Sequence, residues 1–219
     1  MWRANGLSIV LAALFLACLA GHSIAGWRFN NAALVQHGRH ALTYGEFLHS
    51  GEFLESVAEN WESEFLQMAF YVVLTVFLRQ KGSSESKRLD GREEVDEDPE
   101  NHRKDRKAPG PVRAGGWRLA LYKNSLSLAF VVLFLTSFIA HAAGGARAFN
   151  EEHSEHGSAE RVSWVGYMGT SRFWYESFQN WQSEFLAVLS IVTLSIVLRQ
   201  YKSPESKPVH APHDSTGND

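Results

Sequence analysis

The sequence predicts an all-α integral membrane protein of four transmembrane helices, arranged as two tandem helical hairpins with short amphipathic helices outside the membrane. Three observations predict it. Apolar residues make up 45% of the 219 and gather into four runs, with the charges between them. Lys and Arg fall mostly on one side of those runs. The chain also repeats itself at an offset of 119 to 120 residues. The mean hydropathy of -0.21 averages these features away.

The first run, residues 7–26, holds 20 residues without formal charge. As a helix it extends about 30 Å, the thickness of a hydrocarbon core. Residues 126–145 form a second such run of the same length. Two shorter runs, 65–78 and 185–198, reach spanning length when read from Trp61 and Trp181, which places spans at 61–78 and 181–198. The cost is an acidic residue in the first turn, at one interface. Abrupt basic stops at Arg79 and Arg199, with Trp at the opposite end, fit membrane spans with interface anchors. A signal peptide competes for the first run, since Arg3 precedes it and Ser23-Ile24-Ala25 resembles a cleavage site. Recurrence of the same pattern at 126–145 favours a retained span.

Orientation follows from the cations. Of 21 Lys and Arg, 12 lie from Arg79 to Lys123, three in the C-terminal tail and one at Arg3. Only Arg28, Arg39, Arg147, Arg161 and Arg172 lie in the other two segments, which carry 12 acidic residues. Positive residues favour the cytoplasmic side, so both termini and the central loop are expected inside. The net charge of -3 leaves no basic footprint for nucleic acid. The single Cys18 excludes an internal disulfide framework and a thiolate cluster.

At an offset of 119, residues 5–38 match 124–157 at 12 of 34 positions, including His22/His141, Gly26/Gly145 and His37-Gly38/His156-Gly157. At 120, residues 53–87 match 173–207 at 16 of 35, with NWxSEFL and LRQ in both copies. Apolar composition alone cannot produce such matches. The organisation expected is a first hairpin over 1–81, a charged disordered linker over 82–116, a second hairpin over 117–202 and a disordered tail over 203–219. Two like-oriented hairpins make a parallel repeat, which carries no direct argument for alternating access. Outside the membrane, Thr43 to Glu46 has capping-box spacing. Phe47, Leu48, Phe53, Leu54 and Val57, and in the second copy Trp164, Tyr167, Met168, Phe173, Trp174 and Phe178, supply apolar faces suited to helices at the interface or capping the bundle.

These motifs also carry a resemblance. Asn5-Gly-Leu-Ser-Ile-Val10, the His-x-x-x-Gly-Trp exit of the first span, the NWxSEFLQ start of the second and its LRQxGSxESK stop resemble DUF6766, a family of bacterial multi-pass membrane proteins of unknown function. The second copy departs from the pattern at Ala146, Gln182 and Ala187, which stand where the first has Trp27, Glu62 and Gln67. The resemblance implies the bacterial cytoplasmic membrane. It implies no activity, substrate or catalytic residue.

Four ionisable residues recur at matched depth near the outward ends of the spans: His22, Glu64, His141 and Glu184. Ionisable groups there are costly unless paired or facing water. The four could form one cluster that ties the hairpins, relays protons or binds a divalent metal. Asn60 and Asn180 are expected as N-caps, beside the anchors Trp61 and Trp181. Seven of the ten His lie on the outward side, and His153-x-x-His156 has helical metal-ligand spacing, with solvated His as the default. Gly21, Gly26, Gly144 and Gly145, with Ala12, Ala13 and Ala17, suit close helix packing. No phosphate loop, dinucleotide fingerprint, CxxC or HExxH occurs. The expected role is non-enzymatic, a small envelope or assembly protein without cofactor or small-molecule substrate, its partner the lipid bilayer. The alternative is a small ion, proton or metal transporter or channel built on the His/Glu cluster, which would call for further copies of the chain. The apolar inner halves of all four spans weigh against that alternative.

Overall fold

Trp2–Gln36 forms one unbroken helix, α1, of 35 residues. The computed structural model describes residues 2–155 and 161–217, and every regular element among these is helical. No Pro interrupts α1, so the helix runs ten residues beyond the first apolar run. It ends at Gly38, whose φ of 71° is the left-handed conformation that glycine adopts without steric cost. The chain then turns back along its own helix. The Asn31 side chain clamps the backbone of Leu42, donating to its carbonyl and accepting from its amide, both at 2.8 Å. Thr43 caps α2 (Tyr44–Leu48) in a complete capping box with Glu46, as the spacing predicts.

The long α3 spans Gly51–Phe77. Ser50 begins it, its hydroxyl accepting from the Phe53 amide at 3.2 Å. Asn60 is therefore inside the helix and not its N-cap. The stretch before it contains no helix breaker, and Ser50 supplies the capping oxygen ten residues earlier. After 3-10 turns at Glu94–Asp96 and Pro99–His102 come α4 (Gly110–Ala114), α5 (Gly116–Tyr122) and α6 (Ser125–Glu155). The capping and clamping devices seen around α2 and the start of α3 then recur at the matching sequence positions. Asn150 clamps Val162 with bonds of 2.9 and 2.8 Å. Ser163 caps α7 (Trp164–Tyr167). Thr170 caps α8 (Ser171–Leu194), accepting from Phe173 at 3.3 Å. Asn180 thus also lies inside a helix, its amide folded back onto the Glu176 carbonyl at 3.1 Å. His156, and with it the His153-x-x-His156 pair, lies outside the described residues.

Arg79 and Arg199 cap the ends of their helical segments. Arg79 Nη1 donates to the carbonyls of Thr75, Val76 and Leu78, and Arg199 Nη1 to those of Ser195, Ile196 and Leu198. These are the orphan acceptors of a helix C-terminus, where a cation also meets the favourable end of the dipole. Just beyond, Gln80 N donates to Ser86 Oγ and Gln200 N to Ser206 Oγ, both at 2.9 Å.

By contacts the chain divides into two compact units, Met1–Glu59 with Phe138–Trp174, and Asn60–Ser137 with Tyr175–Asp219. Each draws on both sequence repeats. The core of the first is Ala142, Ala146, Tyr167 and Phe173, with Phe138, Phe149, Val162 and Met168 packed against it. Two helices, α1 and α6, are long and apolar enough to cross a membrane. Only 6% and 17% of their most apolar stretches are buried.

Candidate functional site

The first unit encloses a polar cluster whose geometry begins with small residues on α6. A Cβ added to Gly144 would lie 2.5 Å from the Glu55 amide nitrogen, and one on Gly51 would lie 2.5 Å from the Ala148 nitrogen. Helices α3 and α6 therefore approach backbone to backbone, and no side chain fits between them. That approach buries Glu55, only 6% exposed, against the equally buried Tyr167. The Tyr167 hydroxyl donates to Glu55 Oε1 at 2.7 Å. Gly145 leaves the room in which that ring and carboxylate meet. Arg172 stands 3.9 Å from the other Glu55 oxygen and donates to Glu152 at 2.8 Å. Tyrosine, glutamate, arginine and glutamate thus form one chain of polar contacts joining α3, α6, α7 and α8.

His141 adjoins this chain. It is fully buried, with its ring stacked on Phe173 at 4.6 Å. A ring nitrogen of His141 and a carboxylate oxygen of Glu55 lie within 4.8 Å of each other. The carboxylate expected beside this histidine was that of Glu184; the one near it in this unit is that of Glu55. Sequence symmetry could not find it, because the position matching Glu55 is Tyr175. The available signal was helical spacing: Glu55 and Glu62 fall on one face of the helix with the small residues Gly51 and Ala58, all four buried. His22 makes the matching but weaker arrangement. Its Nε2 lies 3.0 Å from Ser56 Oγ and its ring 5.9 Å from Phe53. At two matching positions an aromatic residue fills the space above a glycine: Phe47 over Gly26, and Tyr167 over Gly145. Of the two, the tyrosine carries a hydroxyl, and the buried Glu55 of α3 receives it.

Glu64 and Glu184 belong to the second unit, the two histidines to the first. Within the second unit, Glu64 is exposed and Glu184 half-buried. The buried acid of the NWESEFL motif is Glu62, fully enclosed, whose Oε1 accepts from the Trp181 indole at 3.0 Å. Glu62 has no acidic counterpart, since Gln182 stands at the matching position. Trp61, the other expected anchor, is 40% exposed. Gln67 donates to the Glu184 carbonyl at 2.6 Å.

Chemically, the first-unit cluster can hold or move a proton between His141 and Glu55. Among the described residues of this unit it offers a metal two close ligands, and the Arg172 cation and the Tyr167 hydroxyl already engage the carboxylate. Ser23 Oγ lies 2.7 Å from the Tyr44 hydroxyl, whereas Ser56 Oγ, which also lies 3.1 Å from Phe53 O, stands 3.0 Å from an imidazole nitrogen, that of His22. Outside the membrane-like stretches, Glu46 has its carboxyl held below the usual value, first by the Thr43 amide and then by the Thr43 hydroxyl.

No curated protein and no solved structure matches the chain. A family model does, over residues 1–218. The chain belongs to the family described as a domain of unknown function, DUF6766.

Proposed function

We propose that this protein is a four-span, multi-pass component of the bacterial cytoplasmic membrane, with both termini in the cytoplasm and a non-enzymatic envelope or assembly role. The carrying observation is the surface of α1 and α6. Leu7, Leu14, Leu16, Leu126, Val132 and Ile139 are each at least half exposed. Leaving one such side chain in water forgoes about 1.5–3 kcal/mol. Summed over both helices this exceeds the ~5–15 kcal/mol that holds a typical domain folded. A hydrocarbon solvent removes the penalty. Helices α3 and α8 expose Val76, Phe77, Leu186 and Leu189 in the same way, which supports them as the remaining spans. The buried Tyr167–Glu55–Arg172 chain then acts as a tie fixing helices at the outward end. Its carboxylate already faces a cation and a hydroxyl donor, the arrangement that buried charge requires.

The test combines extraction with labelling. The protein should stay in membranes after alkaline carbonate washing. In a Cys18→Ser background, His40→Cys should react with an impermeant maleimide on intact cells, and Arg106→Cys only after permeabilisation. Recovery in the soluble fraction, or labelling of position 106 from outside, would overturn the reading. A second reading, a proton or ion pathway, is favoured by the proximity of His141 and Glu55 alone. It requires flux in reconstituted vesicles that Glu55→Gln abolishes.

A further inference from the structure

The segment between the two hairpins divides by charge. Residues 90–100 carry seven acidic residues and one Arg, whereas 103–123 carry seven basic residues and one Asp. The acidic half is engaged locally. Asp96 pairs with Lys87, Glu93 accepts from the Arg88 amide, and Glu97 pairs with His102. On the basic side, Arg113, Arg118 and Lys123 are exposed and form no ion pair among the described residues.

The basic half also has a shape. Helices α4 and α5 meet at Gly115, whose φ of 68° makes the turn, with the Arg103 guanidinium lying against it. Val112 and Leu119 point inward and are buried. Trp117, Leu121 and Tyr122 point outward at 73%, 53% and 44% exposure. Arg118 sits over the Trp117 ring at 5.7 Å. Together with Pro111 and Ser125 these residues line an open groove of about 550 Å³, immediately before the apolar α6. A short helix with an inward aliphatic anchor, outward aromatic rings and unpaired cations, at the foot of a spanning helix, has the makeup of an interfacial element.

We propose that residues 103–123 bind the phosphate headgroups of anionic phospholipids in the cytoplasmic leaflet. Trp117, Leu121 and Tyr122 enter the headgroup–acyl boundary, and Arg113, Arg118 and Lys123 meet the phosphates. Charge complementarity selects the occupant, because the inner leaflet is anionic and three of the acidic residues, Glu93, Asp96 and Glu97, have local partners of their own. The aromatic and aliphatic side chains between the cations favour a bilayer over a nucleic acid or an acidic protein. The inference rests on the membrane reading above, including its orientation.

The test uses the full chain reconstituted into nanodiscs of phosphatidylcholine with one quarter phosphatidylglycerol. Tightly bound lipid is then counted by native mass spectrometry. Wild type should hold phosphatidylglycerol well above its bulk share, less so in high salt. Replacing Arg113, Arg118 and Lys123 together by Gln should weaken this preference by roughly two orders of magnitude, at about fivefold per charge. Arg113→Lys with Arg118→Lys should retain it, since the attraction is to charge, and this variant separates lost binding from lost folding. Bulk lipid composition around the wild type, or equal enrichment in the Gln variant, would overturn the proposal. So would co-purified nucleic acid in place of lipid. Failure of the membrane reading is distinguishable: the wild type would not enter the nanodiscs.

Discussion

Gly144→Ala and Gly21→Ala are the same chemical change inside apolar helices, yet the structure assigns them opposite signs. At Gly144 the new Cβ would lie 2.5 Å from Glu55 N, 2.9 Å from Glu55 Cα and 3.0 Å from the Leu54 carbonyl carbon. Ordinary contacts of this kind are ~3.5–4 Å, so α3 and α6 must part by about 1 Å. The neighbours are backbone atoms and cannot rotate away. Overpacking of this kind costs about 1–3 kcal/mol. The same displacement stretches the 2.7 Å bond between Tyr167 and Glu55 beyond useful length, for about 1 kcal/mol more. Alanine returns at most about 1 kcal/mol through helix propensity. The net is a loss of about 2 kcal/mol, which lowers Tm by about 4–8 °C in a chain of this size. At Gly21 nothing lies within 4 Å. There the propensity gain stands alone, and Tm should rise by about 2–4 °C. Thermal melts of detergent-purified protein, followed by circular dichroism at 222 nm, read both. Two shifts of the same sign would refute the close α3–α6 approach.

Tyr167→Phe deprives Glu55 of its hydroxyl donor and should cost about 1.5–3 kcal/mol, whereas Arg172→Gln removes two partly exposed pairs, 3.9 Å to Glu55 and 2.8 Å to Glu152, together worth about 1 kcal/mol; melts in the reverse order would contradict the buried tie. Lys207 is 1% exposed and donates to the carbonyls of Pro212, His213 and Ser215, so Lys207→Met should speed proteolysis of the tail by on the order of tenfold, and an unchanged rate would show the tail is not latched there. Glu46 has a folded pKa below its usual 4.5, so its capping contribution is present above that value and is lost as the pH falls through the lowered one. Its carboxyl resonance should titrate at higher pH in Thr43→Ala than in wild type, and identical midpoints would remove the capping box as the cause.

The helical class was legible because run length and charge placement are one-dimensional properties. The Thr43–Glu46 capping box was legible because its bonds span three residues. Helix starts were less so. Ser50 and Thr170 lie ten residues before the asparagines that the apolar runs nominate, and polar residues such as Glu55 and Ser56 can occupy a helix that continues past its apolar part. The polar cluster was half legible. Recurrence singled out His22 and His141, and the structure gives both the same setting against Phe53 and Phe173. Recurrence could not single out Glu55, Glu62, Tyr167 or Arg172, because each differs from its counterpart in the other copy.

The sequence by itself determined the helical class, the apolar runs, the matched segments and the stretches in which cations gather. Each of these is written in spacing or composition along the chain. Only the tertiary structure decided which acid accompanies His141, and which glycines touch a neighbouring helix. Gly21 and Gly144 read alike in a sequence, but one faces open space and the other a backbone 2.5 Å away. That distinction depends on which helices pack together, and packing is fixed by the whole chain and not by any residue's near neighbours.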